Sequence, residues 1–213
     1  MFMHVPGLKV VAPTNAHDAK GCLIAAIRDK NPVVFVEHRL LYTTDAPVPE
    51  DPYTVDFGKA RVVGDGDDIT LVGISYMLVE CLAAQNLLAE AGISAAVIDP
   101  VSLLPLDVDT FAESAGRTGR LLVVDNAWVT CGAGAEIVAA VCERREGASP
   151  LAVGRMGYAP TTCPTTPALE KYFYPNAVTI ASKAHSMVRP DEPEWAPDAE
   201  PTLPHEAVFR GPF

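Results

Sequence analysis

The stretch from His4 to His38, HVPGLKVVAPTNAHDAKGCLIAAIRDKNPVVFVEH, constrains the fold more than any other part of the chain. Residues 8–11 (LKVV) are apolar apart from Lys9 and end in two β-branched valines, and Pro13 and Asn15 break the run. Residues 18–29 have a helical period, with Ala19, Cys22, Leu23, Ala26 and Ile27 on one face. Asn15 is placed to cap that helix, and Asp18 three residues later can also satisfy free N–H groups of the first turn. Asn31-Pro32 ends it, because proline disfavours helical geometry in the residue before it. Residues 32–37, PVVFVE, then form a continuous apolar run, as in a strand covered on both faces. The order is strand, loop, helix, turn, strand, and a unit this short offers too few elements to bury that last strand.

Residues 39–57 hold Pro47, Pro49 and Pro52 among several acids, which is linker chemistry. Strands and helices alternate beyond it. The pattern predicts an edge strand over 59–63, a hairpin turn at GDGDD (64–68) and a buried strand over 69–74. A helix over 76–91 ends at Gly92. Then come a strand at 95–98, a short helix at 106–115, a strand at 121–124, a helix at 134–144 and a short strand at 151–153. Helices over 167–173 and 176–187 close the pattern. Such alternation specifies an α/β fold, a three-layer and mostly parallel sheet preceded by the partial strand–helix–strand unit. The expected organisation is a partial unit over 1–40, a linker over 41–57, the α/β domain over 58–188 and a tail over 189–213. The tail, RPDEPEWAPDAEPTLPHEAVFRGPF, is rich in proline and acid, so it is expected to be extended or disordered. If it docks a partner, Trp195 and Phe209 are its anchors.

The segments PGLKVVAP, DAKG and AAIRDKNPVVFVEH resemble the beta subunit of the 2-oxo acid dehydrogenase first component, of the pyruvate and branched-chain type. The resemblance continues through GKARVV, AAVIDPVSLLPLD, RLLVVDNAW, GAGAEI and PALEKYFYPN, and covers roughly residues 2–185. It implies the end of a pyrimidine-binding domain followed by a transketolase-type C-terminal domain. It implies oxidative decarboxylation on thiamine diphosphate with magnesium, and acyl transfer to a lipoyl group or another acyl carrier. It further implies that the glutamate activating the cofactor, and the active-site histidine of that subunit, lie upstream of Met1. The expected partners are an alpha subunit and a chain supplying the pyrimidine half, in a hetero-oligomer, with this chain inactive alone. No catalytic and no cofactor-binding residue is therefore assigned within it.

One site is assigned. A helix C-terminus leaves carbonyl oxygens unpaired and carries partial negative charge. Carbonyls of Ala26, Ile27, Asp29 and Asn31 can converge there on a cation, and hard oxygen ligands suit an alkali or alkaline-earth ion. The resemblance implies potassium at this turn, with a further ligand from upstream of Met1; the alternative is an unoccupied helix C-cap.

A net charge of −11 argues against nonspecific nucleic-acid binding. No signal peptide and no bilayer-length apolar run occur, which points to the cytoplasm and away from membranes. Cys22, Cys81, Cys131, Cys142 and Cys163 contain no CxxC pair; Cys22, Cys81 and Cys142 fall on helices and read as small buried hydrophobes. The five histidines form no zinc pattern, and His4 and His38 read as structural hydrogen-bonders near the domain junction. The GxG at Gly132 and Gly134 opens a helix without the rest of a dinucleotide fingerprint, so packing is favoured over phosphate binding. Beside the enzyme-component reading stands a non-catalytic interaction module that keeps a transketolase-type domain. A free-standing nucleotide-binding protein is disfavoured by the missing glycines.

Overall fold

Asn15 caps the first helix: its Oδ1 accepts the Asp18 N–H at 2.8 Å. The computed structural model describes residues 1–199. Strand β1 (Lys9–Val11), helix α1 (Ala16–Arg28) and strand β2 (Val33–Phe35) form the first unit, with β1 and β2 parallel. Strands β3 (Arg61–Gly64) and β4 (Ile69–Gly73), helix α2 (Met77–Glu90) and strands β5 (Ala95–Asp99) and β6 (Ser102–Leu104) follow. Helix α3 (Val108–Thr118), strand β7 (Arg120–Trp128), helix α4 (Ala133–Arg144), strand β8 (Ala152–Tyr158) and helices α5 (Pro167–Glu170) and α6 (Ala177–Val188) complete the order.

The main sheet has five strands in the order β3-β5-β4-β7-β8, parallel except for β3. Side-chain alternation along its strands feeds two cores. Ile69, Leu71, Leu122 and Val124 pack with Met77, Cys81 and Leu88 of α2 and Ile180 and Ala184 of α6. Val72, Leu121 and Val123 pack with Phe111 and Ala115 of α3 and Ile137 and Val141 of α4. The result is the expected three-layer α/β fold. Thr70 is fully buried on the second face, where its hydroxyl meets those of Ser114 at 2.8 Å and Thr118 at 3.0 Å. Gly73 lets α2 approach the sheet, since a Cβ there would lie 2.6 Å from the Leu78 Cα.

Several expectations are corrected. GDGDD is not a hairpin turn. β3 pairs with β5 and leaves β4 inside the sheet, so this loop passes over the end of β5: Asp68 carboxylate accepts the Ser94 N–H. A Cβ on Gly66 would strike the Ala95 backbone at 2.3 Å. Ser102–Leu104 is a strand, and it pairs antiparallel with β1, not with the main sheet. β7 runs on to Trp128 and β8 to Tyr158, because aromatic contacts beyond the core extend both. The penultimate helix shrinks to α5. Cys142 is exposed, unlike buried Cys22 and Cys81, because it lies on the outer side of α4. Residues 189–199 carry no helix or strand, yet Trp195 stacks on buried His185 at 4.7 Å. Phe209 lies outside the described residues.

The three-stranded sheet β2-β1-β6 leaves β2 at its edge, and Val33, Val34 and Phe35 are half-buried. On α1, Leu23 is 50% and Ile27 76% exposed. The unit is held to the main domain by β6, by Val10 and Ala12 packed into the second core, and by one cation. Arg61 at the start of β3 donates to the carboxylates of Asp18 on α1 and, at 3.2 Å, of Asp99 at the end of β5. Both acids are buried. Removing the guanidinium leaves two buried like charges held only by the Asn15 amide and the His17 ring on Asp18 and by the Val101 N–H on Asp99; breaking a fully buried ion pair costs about 3–5 kcal/mol. The Arg61 side chain is 40% exposed, so the lower end applies. Arg61→Ala is expected to reduce unfolding free energy by roughly 2–4 kcal/mol in a urea titration. A loss under about 0.5 kcal/mol, the level of an ordinary surface substitution, would show that the junction does not depend on it.

Candidate functional site

From β4 the chain winds through α2 to β5, and from β7 it winds through α4 to β8 on the opposite side. β4 and β7 are neighbours, so the winding reverses between them. In doubly wound sheets this reversal opens a crevice at the carboxyl ends of the strands, because the two following loops part to opposite faces. Ile74 N–H still reaches the Val124 carbonyl at 3.0 Å, and past that bond the strands separate.

A cavity of about 400 Å³ lies there, lined by Tyr76 after β4, Asn126 in β7, Tyr158 of β8, Tyr174, and His38 from the first unit. The His38 ring stacks on Tyr76 at 5.0 Å, its Nδ1 accepts the Leu40 N–H at 3.4 Å, and burial lowers its pKa, so it is neutral at pH 7. Tyr158 stacks on Phe173 at 4.8 Å and meets Tyr174 edge-on at 5.3 Å and Trp128 at 5.7 Å. Burial pushes the Tyr158 hydroxyl pKa up.

Strain and unpaired polar atoms gather along the same edge. Among the described residues, the non-glycine positions with positive φ are Ser75 after β4, Val101 after β5 and Cys131 before α4. Such conformations cost about 1–3 kcal/mol each and concentrate where a site fixes the backbone. Ser75 Oγ and Asn126 Oδ1 are buried without a hydrogen-bond partner among the described residues. Both stand two positions beyond the last β4–β7 register pair, Gly73 with Val124.

Asp125 faces the other way. Burial raises its pKa to about 6, while N–H groups of Asn126 and of Ala133, the first residue of α4, hold its carboxylate. The Asp125 carboxylate therefore lies near the N-terminus of α4, where it disfavours a second anion. The Gly132 and Gly134 positions serve packing. A Cβ at Gly132 would lie 2.5 Å from the Trp128 carbonyl oxygen, and Gly134 is buried with its Cβ position 3.3 Å from Val123.

The turn after α1 is more self-contained than expected of a cation cage. Asp29 is extended, and its N–H returns to the Ala26 carbonyl at 3.3 Å. Its carboxylate pairs with the Lys9 ammonium and accepts the Asn31 N–H at 2.9 Å, which together lower its pKa, Lys9 most. One cation is thus supplied by the chain itself. No cluster of three or more His, Cys, Asp or Glu suited to a metal occurs among the described residues. The acids of GDGDD bind protein groups: Asp65 and Asp67 pair with Arg117 at 3.0 and 3.6 Å. No helix among the described residues is long and apolar enough to cross a membrane. Sequence reasoning missed Ser75, Asn126, Tyr158 and Tyr174. Only the strand order reveals them, although the reversal between sequentially distant strands could have been guessed from the βαβ rule.

Residues 58–180 match the family model for the transketolase C-terminal domain, and residues 1–44 that for the transketolase pyrimidine binding domain. The chain is 41% identical over 189 residues to the acetoin:2,6-dichlorophenolindophenol oxidoreductase subunit beta of Cupriavidus necator, covering 89% of this chain and 56% of that protein. It is 42% identical over 180 residues to the pyruvate dehydrogenase E1 component subunit beta of Staphylococcus aureus, covering 84% and 55%. Among solved structures, a split gene transketolase described as an inactive beta4 tetramer superposes with a TM-score of 0.72 at 26% identity, covering 87% of this chain and 59% of that one. The chain spans about half the length of the curated relatives it matches.

The buried acids give this region a pH signature. Burial raises Asp99 to about 6, against the opposing pull of the Val101 N–H and Arg61, and Asp125 to about 6. Both folded values lie above the unfolded carboxylate value, so the stability these groups contribute is full below about pH 4 and is lost as pH rises through about 6. Between pH 5 and 7 Asp99 alone should cost roughly 1 kcal/mol. Melting curves of Asp99→Asn and Asp125→Asn are expected to show a flatter decline over that interval than the parent. An unchanged slope in both would place the titration elsewhere.

Proposed function

We infer that this chain, which belongs to the transketolase C-terminal domain family, serves as part of the beta subunit of a thiamine-diphosphate-dependent dehydrogenase acting on a 2-oxo acid or acetoin. The observation that carries this reading is the match, in order, of a pyrimidine-domain end and a C-terminal domain, at 41–42% identity to two beta subunits over 84–89% of the chain. The β1–β6 pairing and the Arg61 clamp support it, since they bind the two domain pieces into one body.

Thiamine diphosphate with magnesium supplies the carbanion chemistry of such enzymes. The donors on this chain do not fit that group. The Asp125 carboxylate near the N-terminus of α4 disfavours a diphosphate there, and the described acids form no magnesium-type cluster. The cofactor is therefore assigned to an alpha subunit and to the remainder of the pyrimidine domain, and this chain to assembly. An acyl or lipoyl carrier is the proposed acceptor, and the cytoplasm, consistent with five free cysteines, the proposed setting. The half-buried edge strand β2 and the exposed Leu23 and Ile27 are the surfaces proposed to meet another chain. A second reading, a non-catalytic interaction module, is favoured by the structural neighbour, which is itself described as inactive.

Calorimetry on the purified chain with thiamine diphosphate and magnesium is expected to show no micromolar binding. Binding and turnover are expected once an alpha subunit and a chain carrying the front of the pyrimidine domain are added. Micromolar binding by the chain alone would overturn this assignment. Turnover that never appears in the reconstituted mixture would favour the module reading.

Potassium at the carbonyls of Ala26, Ile27, Asp29 and Asn31 belongs to the same proposal. At fixed ionic strength and about tenfold above its Kd, potassium is expected to raise the melting temperature by about 3–5 °C over lithium or sodium. Coincident curves in the three salts would leave this turn stabilised by Lys9 alone.

A further inference from the structure

We propose that the crevice where the winding of the main sheet reverses, between the Asn126 amide and the rings of Tyr76, Tyr158 and Tyr174, binds an uncharged aminated heteroaromatic ring, of which the adenine of a nucleoside is the simplest example. The proposal does not rest on the inferred thiamine chemistry.

Position and size come first. The crevice lies at the carboxyl ends of parallel strands at the reversal point, where the fold leaves a cleft by its own topology. Its volume of about 400 Å³ is within the range of small-molecule pockets and suits a nucleoside.

The walls then select a flat ligand. Tyr76, Tyr158 and Tyr174 offer ring faces and edges, and the neutral His38 ring lies on Tyr76. These rings are fixed by one another and by Phe173, so stacking a planar guest costs little side-chain freedom.

The polar groups select an aminated edge. Asn126 Oδ1 is buried with no partner, and its amide presents an acceptor beside a donor. An amino group next to a ring nitrogen, as in adenine, is the complement of that pair. Ser75 Oγ, buried and unpartnered on the strained residue after β4, stands at the same strand ends. An unpaired buried acceptor is a cost that a donor-bearing guest removes.

Charge excludes a phosphate. Glu37, Glu170 and Arg39 line the crevice, a formal balance of one negative charge. The balance is acidic, so a nucleoside is preferred to a nucleotide.

Isothermal calorimetry on the chain, in whatever assembly it forms, should compare adenosine, purine riboside (which lacks the 6-amino group) and adenosine monophosphate. Trp128, in edge contact with Tyr158, gives a fluorescence readout of the same events. Adenosine is expected to bind with a Kd below about 1 mM. Purine riboside should bind about tenfold more weakly, and the monophosphate several-fold more weakly. Asn126→Leu should lose at least tenfold in adenosine affinity while keeping the parent melting temperature, and Asn126→Asp, which keeps the acceptor, should fall between. No adenosine binding by the parent chain at millimolar concentration would overturn the proposal. So would equal binding of adenosine and purine riboside, or parent-like binding by a folded Asn126→Leu. None of these outcomes bears on the assignment to a thiamine-dependent beta subunit.

Discussion

The guanidinium of Arg61 between Asp18 and Asp99 is the contact on which the remaining geometry depends. It joins the first helix to the end of β5, beside the β1–β6 ladder and the packing of Val10, Val11, Ala12 and Cys22 against the main domain. Burying two carboxylates together is unfavourable unless a cation sits between them. The penalty is only partly offset, since Asp99 still titrates near 6. The same surroundings push the Cys22 thiol up to about 12, through burial first and the Asp18 charge second, and keep it protonated and inert. Local hydrogen bonds then settle around the clamp. Tyr53 hydroxyl donates to the His17 carbonyl at 2.7 Å, the Gly58 N–H donates to Ser102 Oγ at 2.7 Å, and the Ala60 N–H donates to the Asp107 carboxylate at 2.9 Å. The proline-rich segment over 41–57 is thereby strapped across the junction at its far end.

With the junction fixed, the segment after β2 lies against the carboxyl edge of the main sheet. His38 reaches Tyr76 for this reason, and the crevice acquires a wall from the first unit. On the opposite side, Glu80 of α2 accepts the N–H of Ala177 at 2.8 Å and so pins the start of α6. Glu80 is buried, and burial raises its pKa. The chain thus uses carboxylates at the starts of both α4 and α6, where a ligand anion would otherwise be drawn by the helix dipole.

Much of the architecture was legible from residue pattern. The Asn15 cap, the turn at Asn31-Pro32, the buried strand over 69–74 and the Gly92 stop each rest on a local rule, and the structure keeps them within a few residues. The failures share one cause. GDGDD has hairpin composition, yet β3 pairs with β5, because strand partners are chosen by burial across the sheet and not by the nearest turn. Ser102–Leu104 follows Asp99-Pro100 as if it were a loop, and becomes a strand only because β1 offers it an edge. Cys142 has apolar neighbours in sequence, but its side of α4 faces away from the sheet.

The same division holds for sites. The sequence by itself determined the alternation of strands and helices, the helix caps and the likeness to a two-domain subunit, since each depends on residues close along the chain. It also located the turn at Ala26, Ile27, Asp29 and Asn31, but not that Lys9, twenty residues before Asp29, answers its carboxylate. Ser75, Asn126, Tyr158 and Tyr174 carry no common motif and come from separate parts of the chain. Only the tertiary structure brings them to one edge, because the direction in which each crossover winds is set by packing of helices on the two faces of the sheet. Partners that distant in sequence are settled by the sheet as a whole, and no local pattern records them.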